Sequence, residues 1–197
     1  MKICAVVGSS KINGNTDKVT EAFLRGVGEV GNETVKIHLG QTKIEPCLGC
    51  NCCTDGNGCR QKDGFAFFAE KFLDCDVIVF ATPLYFWGIS AQLKAVIDRM
   101  YSLGEKDPKG YFKYPCKKCV LIATAADSAR HFWAFEMLEQ YYHRLVKYFR
   151  WTDLGIFEAG SCGGTAVPRR LEETDAEERA YQFGKKLGMQ IKEPEAD

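Results

Sequence analysis

The chain has 197 residues, 46% hydrophobic and 26% charged, with 26 Lys and Arg balanced by 26 Asp and Glu. That length suits a single domain over 1–197 with a full core. The zero net charge leaves no electrostatic footprint for nucleic acid or an anionic membrane, and no apolar run approaches the roughly 20 residues of a membrane span.

The amino terminus, Met1 to Gly8, is too soon broken by Ser9-Ser10 to be a secretory leader, so a cytoplasmic location is expected. In that compartment the Asn32-Glu33-Thr34 sequon has no meaning. Within the same segment Ile3–Val7 is a short, near-continuous apolar run, the mark of a strand buried on both faces. It feeds Gly8-Ser9-Ser10-Lys11-Ile12-Asn13-Gly14-Asn15-Thr16, where glycines permit tight turning and hydroxyls, amides and one lysine supply donors. At the start of a helix such a loop suits an anion, and a terminal phosphate monoester is the natural guest. No Gly-Lys-Ser/Thr closes it, which disfavours ATP. The plainer alternative is a strand–helix turn with no ligand.

Val19, Phe23 and Val27 share one face of the helix that follows. Gly26-Val27-Gly28-Glu29-Val30-Gly31 matches a dinucleotide fingerprint in letters only. It falls at a helix end, so its glycines read as helix termination.

The second strand is expected at Thr34–Leu39, followed by a cysteine-rich insertion at about 44–63. Five of the ten cysteines lie between Cys47 and Cys59. Reducing conditions disfavour disulfides, so this density points to metal or redox work. Cys47, Cys50, Cys53 and Cys59 form C-x2-C-x2-C-x5-C, with Cys52 as an extra. Closely spaced thiolates can wrap a [4Fe–4S] cubane, whereas structural zinc uses two knuckles set further apart. Cluster, zinc and unligated thiols all stay open on spacing alone.

The third strand, Val77–Ala81, leads into Thr82-Pro83-Leu84-Tyr85-Phe86-Trp87-Gly88. Three aromatics with backbone amides between them offer the stacking surface a flat, amphipathic tricyclic ring needs; covering the core edge is the other use for them. Leu93, Val96, Ile97 and Met100 then mark a helix after Ser90, with Lys94 and Asp98 read as an i,i+4 ion pair. Cys116-Lys117-Lys118-Cys119 enters the fourth strand, Val120–Ala123, and lacks a thioredoxin-like helix start, so these read as packing and solvent-edge thiols. His131, Phe132, Trp133 and Phe135 open an aromatic helix carrying Leu138, Tyr142, Leu145 and Phe149, whose surplus aromatic surface is expected to cover another subunit or the ligand pocket of a partner. His38, His131 and His143 show no base-and-nucleophile pattern. Leu154–Ala159 gives the fifth strand. Thr174-Asp175-Ala176-Glu177 reads as a capping box for a last helix carrying Ala180, Phe183 and Leu187, and 192–197 as a frayed tail.

Five strands alternating with helices predict an α/β three-layer sandwich, a parallel sheet covered on both faces. Right-handed crossovers favour a doubly wound, flavodoxin-like order 2-1-3-4-5, which gathers the loops after Val7, Leu39, Ala81 and Ala123 on one ligand-binding rim.

Gly-Ser-Ser-Lys-x-Asn-Gly-Asn-Thr at 8–16, with Pro83–Gly88 leading into Gln92–Arg99, resembles the NADPH-dependent FMN reductases and iron–sulfur flavoproteins. The resemblance implies FMN, with Ser9, Lys11, Asn13, Asn15 and Thr16 at its phosphate. It places Pro83, Leu84, Tyr85, Phe86, Trp87 and Gly88 along the isoalloxazine, and Thr124 and Ala125 closing the pocket. Lys11 stands where many relatives carry arginine, which keeps the charge but not the bidentate fork. The compact cysteine spacing is similar to the iron–sulfur flavoprotein signature and implies a [4Fe-4S] cluster on Cys47, Cys50, Cys53 and Cys59, the doubled Cys52-Cys53 being a departure. The expected function is electron transfer between FMN, cluster and a ferredoxin-like or small-molecule partner, in a homodimer or homotetramer. The alternatives are an NAD(P)H-dependent FMN or quinone reductase without a cluster, and a redox-sensing flavin module.

Overall fold

The computed structural model describes residues 1–56, 58–106, 112–115, 117–127, 134–162 and 170–191. Five strands, β1 (Lys2–Val7), β2 (Glu33–His38), β3 (Val77–Pro83), β4 (Lys118–Thr124) and β5 (Thr152–Ala159), pair in parallel in the order β2-β1-β3-β4-β5. This is the expected 2-1-3-4-5 flavodoxin-like sheet. Each strand begins or ends within two residues of its sequence expectation, and β3 and β4 run on to Pro83 and Thr124 at the rim.

Strand alternation divides the core in two. Cys4, Val6, Ile78, Phe80, Cys119 and Leu121 face α2 (Phe65–Asp74), α3 (Ala91–Arg99) and α4 (Glu136–Phe149). Ile3, Ala5, Val7, Val77, Val79, Val120 and Ile122 face α1 (Asn15–Glu29) and α5 (Ala176–Gln190). Period-two alternation on a strand covered on both sides requires this split.

Several expectations shift. Helix α2, not predicted, buries Phe65, Phe68 and Phe72, and Phe72, Phe80, Phe149 and Trp151 form a chain of ring contacts beneath α4. Gly26 and Gly28 do not end α1. They lie inside it, and only Gly31, with φ of 81°, follows its end. A Cβ on Gly26 would collide with Tyr181 O of α5, and one on Gly184 of α5 with Phe23 O, so these glycines let the two backbones touch.

The last helix has Asp175 at its N-cap without a side-chain cap; Thr174 Oγ1 instead accepts the Ala176 N–H at 3.2 Å. The aromatic surplus of α4 is mostly core, with Tyr142 and Phe149 buried and Tyr148 exposed. His131, Phe132, Trp133, Cys116 and the 192–197 tail lie outside the described residues. Among the described residues no helix is long and apolar enough to cross a membrane.

Candidate active site

The carboxyl ends of β1, β3 and β4 are tied to one another at the rim. Gly8 N–H donates to Ala81 O at 2.7 Å, and Leu84 N–H to Thr124 O at 2.7 Å. Ser90, N-cap of α3, donates its hydroxyl to Gly8 O at 2.7 Å and accepts the Leu93 N–H, joining the first loop to the third. A Cβ on Gly8 would sit 2.7 Å from Ser90 Oγ and 2.8 Å from Leu93 Cβ, so the crossing requires glycine.

Between these loops lies a cleft of about 330 Å³. One wall is Ser9, Lys11, Gly14, Asn15 and Thr16; the other is Pro83, Leu84 and Tyr85 with Thr124 and Ala125. Nine of the thirteen residues expected at the cofactor therefore meet here. Gly14, Ala126 and Cys162 also line the cleft and were not expected. Cys162 follows β5, the one rim loop the sequence pattern left unexamined. It arrives because its N–H donates to Ala125 O at 3.0 Å and its carbonyl accepts from the Asn15 amide. Burial pushes the Cys162 thiol up to about 11, so it lines the cleft as a neutral group.

Helix α1 opens onto this cleft with no side-chain cap on Gly14, leaving its first N–H groups for a ligand. Lys11 is exposed at its mouth. Thr16 is turned inward, its hydroxyl 2.7 Å from that of Thr124, which bolts α1 to β4 beneath the cleft.

Four expected residues stand apart from the lining. Asn13, left-handed at φ of 55°, borders a second, charged groove with Asp17, Lys18, Arg25 and Lys36. Its N–H donates to Asp17 Oδ2 at 2.8 Å, and Lys36 reaches Asp17 Oδ1 at 2.9 Å. Burial opposes the charge on Asp17, but Lys36 and the Asn13 N–H outweigh it and hold the carboxyl below its usual range. Phe86, Trp87 and Gly88 continue into a two-residue hairpin closed by Tyr85 N–H to Gly88 O at 3.1 Å and Gly88 N–H to Tyr85 O at 3.0 Å. Phe86 at φ of 46° and Trp87 at φ of 61° occupy left-handed positions, as in the type I′ hairpins that favour Asn-Gly. Phe86 is 96% exposed.

The cysteine loop hangs from the same end of the sheet, after β2. Asp63 closes it by accepting the Glu45 N–H at 2.8 Å, and Gly64 N–H donates to Lys43 O at 3.1 Å. Left-handed Gly49, Asn51 and Gly56 wind the chain between. Cys47 and Cys50 are exposed, while Cys52, Cys53 and Cys59 are half-buried. Burial raises the Cys53 thiol, and Cys59, Cys47 and Cys50 are close enough to add to that shift. Cys52 lies against Cys50, its thiol donating to Cys50 O at 3.7 Å and accepting from Arg60 at 3.7 Å, and its hydrogen bonds lower the pKa of the Cys50 thiol. Among the described residues no three His, Cys, Asp or Glu side chains converge as a ready metal site.

Beneath the loop, Arg99 at the end of α3 donates through Nη1 to Asp63 at 2.6 Å and Glu45 O at 3.1 Å, and through Nη2 to Cys59 Sγ at 3.3 Å. Burial works against its charge, but Asp63 and Cys59 prevail and raise its pKa.

A doubly wound parallel sheet with an anion-ready first loop and an aromatic third loop defines a flavodoxin-like α/β protein. Residues 1–149 match the family model described as NADPH-dependent FMN reductase, and the chain belongs to that family. It is 32% identical over 188 residues to an iron–sulfur flavoprotein of Archaeoglobus fulgidus, covering 95% of this chain and 79% of that one. An iron–sulfur flavoprotein of Methanocaldococcus jannaschii is 36% identical over 99 residues, half of this chain and 51% of the relative's length. Among solved structures, an azoreductase from Bacillus anthracis superposes with a TM-score of 0.69 at 18% identity, over 96% of this chain and 99% of that one, which speaks to the fold.

Proposed function

We propose that this chain is an FMN-dependent oxidoreductase that holds the cofactor phosphate at the start of α1 and the ring between Leu84, Tyr85 and the Thr124–Ala126 turn. The observation carrying this reading is the uncapped N-terminus of α1 facing the ends of β3 and β4 across a cleft of about 330 Å³. Free helix N–H groups and a lysine match a phosphate, and the small Ala125 and Ala126 leave width for a planar ring opposite Tyr85. FMN, when bound, supplies one- and two-electron redox chemistry. The chain's own part is to neutralise the phosphate through Lys11, to seat the ring edge against backbone amides and to keep water from its buried face. No side-chain nucleophile is required.

Flavin fluorescence titration tests this. Lys11→Ala is expected to weaken FMN binding about tenfold, or about 1.4 kcal/mol. Unchanged affinity would move the phosphate elsewhere.

The cysteine loop extends the proposal: Cys47, Cys50, Cys53 and Cys59 hold an iron–sulfur cluster that exchanges single electrons with a ferredoxin-like partner. The C-x2-C-x2-C-x5-C spacing and the similarity to iron–sulfur flavoproteins support this reading. Protein prepared and reconstituted without oxygen should be brown, with iron and sulfide in near-stoichiometric amounts. A yellow, iron-free product would leave the FMN claim standing alone.

A second reading has equal support, an NAD(P)H-dependent FMN or quinone reductase without a cluster. Its family match and the solvent exposure of Cys47 and Cys50 favour it. Rapid bleaching of the bound flavin by NADPH would select it; reduction by a ferredoxin alone would select the first. In either case a second copy of the chain is the expected partner.

A further inference from the structure

Asp17, in the first turn of α1, is a carboxylate close to where an anion would bind. Its side chain is 4% exposed, and its two oxygens are taken by different elements. Oδ2 accepts the Asn13 N–H at 2.8 Å from the loop before the helix, and Oδ1 accepts from Lys36 Nζ at 2.9 Å from β2. Lys36 also reaches Glu21 Oε2 at 2.6 Å. His38 of β2, 5% exposed, stands on the same side, its Nε2 3.7 Å from Asp17 Oδ2. Its Nδ1 accepts the Gly40 N–H at 3.0 Å, which places the ring's one proton on Nε2, buried with no hydrogen-bond partner among the described residues.

An acidic residue in the first turn of a helix is ordinary, because it meets the positive end of the helix dipole. Such a residue works at the surface and needs no partner from a strand. Here burial opposes the charge, and Lys36 and His38, alternate residues on one face of β2, both converge on it. What this costly arrangement secures is the bond to Asn13. That residue is left-handed at φ of 55°, where the loop turns into α1. Around it the loop closes on itself, with Lys11 N–H donating to Ser9 Oγ at 3.1 Å and Gly14 N–H to Lys11 O at 3.2 Å. Asp17 therefore grips the loop at its turning point.

We infer that Asp17 is the positioning residue of the phosphate loop, and that Lys36 is the counter-charge that makes its carboxylate compatible with a bound phosphate. The inference rests on the FMN reading given above and concerns the phosphate end alone. By holding Asn13 turned, Asp17 presets Lys11 and the first N–H groups of α1 before a ligand arrives, so less ordering is left to binding. Its own negative charge opposes a phosphate, and Lys36, with the Nε2–H of His38, offsets that charge. Neither effect reaches the flavin ring. Both therefore act on FMN and spare riboflavin, which has the ring without the phosphate.

The test titrates flavin-free, full-length protein with FMN and with riboflavin, follows flavin fluorescence, and compares the two affinities as a ratio. Asp17→Ala, which releases the Asn13 N–H, should cut the preference for FMN about tenfold with riboflavin affinity unchanged. Lys36→Met leaves the carboxylate uncompensated and should cut the preference too. The double variant Lys36→Met/Asp17→Asn keeps an acceptor for Asn13 without the charge and should regain most of it. In the flavin-free wild type the Asn13 amide should be protected from hydrogen exchange, and in Asp17→Ala it should exchange freely. An unchanged ratio in Asp17→Ala, or a double variant no better than Lys36→Met, overturns the roles of Asp17 and Lys36 and leaves the phosphate site standing. A wild type that binds riboflavin as tightly as FMN overturns the phosphate reading and this inference together. Should Asp17→Ala fail to fold, the Lys36 variants and the wild-type exchange decide, and an unprotected Asn13 amide overturns the inference.

Discussion

Glu158 on β5 meets Glu139 on α4 carboxyl to carboxyl, and Glu158 Oε1 is buried with no hydrogen-bond partner in the described structure. Burial, reinforced by Glu139, pushes the Glu158 carboxyl up to about 7. The folded value thus lies above the unfolded one, near 4.3. The folded chain binds the proton more tightly, so stability is highest below the unfolded value, falls as pH rises between the two, and stays reduced above about 7. Glu158→Gln keeps the shape and removes the charge. It should stabilise the fold by roughly 1–2 kcal/mol near pH 8, after allowance for partial exposure, and by little near pH 4. Urea denaturation at the two pH values measures the difference; an equal gain at both would show that no titration is involved.

At the scale of elements, two features carry cost or constraint that substitutions can expose. Gly26 of α1 has the Tyr181 carbonyl and the Lys185 N–H of α5 where a Cβ would go, and backbone cannot step aside as a side chain can. Gly26→Ala is expected to lower stability by about 2 kcal/mol in thermal or urea unfolding. The Phe86-Trp87 hairpin stores strain of the opposite kind, since two bulky residues hold left-handed backbone. Trp87→Gly should raise stability by roughly 1 kcal/mol while weakening whatever the aromatic tip contacts. A parallel drop in both quantities would show that Trp87 packs more than it strains.

These elements also mark what the sequence could tell. Strands β1, β3 and β4 were legible because strands buried on both faces must be near-continuously apolar, and Val77–Ala81 could be little else; the half-exposed edge strands β2 and β5 showed shorter apolar runs. Helix α2 was hidden by its own richness: Phe65-Ala66-Phe67-Phe68 shows no polar face until Glu70 and Lys71, so the period of Phe65, Phe68 and Phe72 was masked. Gly26 was misread because a helix end and a helix crossing ask for the same residue. The cleft was legible along its two motif-bearing loops. Cys162 was not, because a backbone hydrogen bond to Ala125 and the Asn15 amide bring it in, and neither depends on a recognisable side-chain pattern. Asn13 belongs to the cleft's first loop but, left-handed at φ of 55°, borders the neighbouring charged groove.

Taken whole, the molecule is fastened around its nucleotide-sized cleft by cross-links between distant parts of the chain. Thr16 meets Thr124, Ser90 meets Gly8, and Arg99 meets Asp63 and Cys59. The widest of these spans is α1 against α5, where Val19, Phe23 and Val27 share a core with Ala180 and Leu187. Removing residues from 175 onward should leave that face uncovered and yield a chain with secondary structure but without fixed near-ultraviolet circular dichroism, binding a hydrophobic dye. A truncated chain that still binds FMN tightly would show that α5 is dispensable to the site.

The pairing of the first helix with the last has a further consequence during synthesis. As the polypeptide leaves the ribosome from its amino end, β1 and the anion-ready loop emerge early, but the glycine-lined surface of α1 finds its mate only when α5 has been released. Until then the part of α1 that α5 covers, around Phe23 and Gly26, stays open to other nascent chains nearby. The late closure therefore makes this protein a candidate for chaperone attendance, and slow translation through residues 30–175 a hazard to its yield.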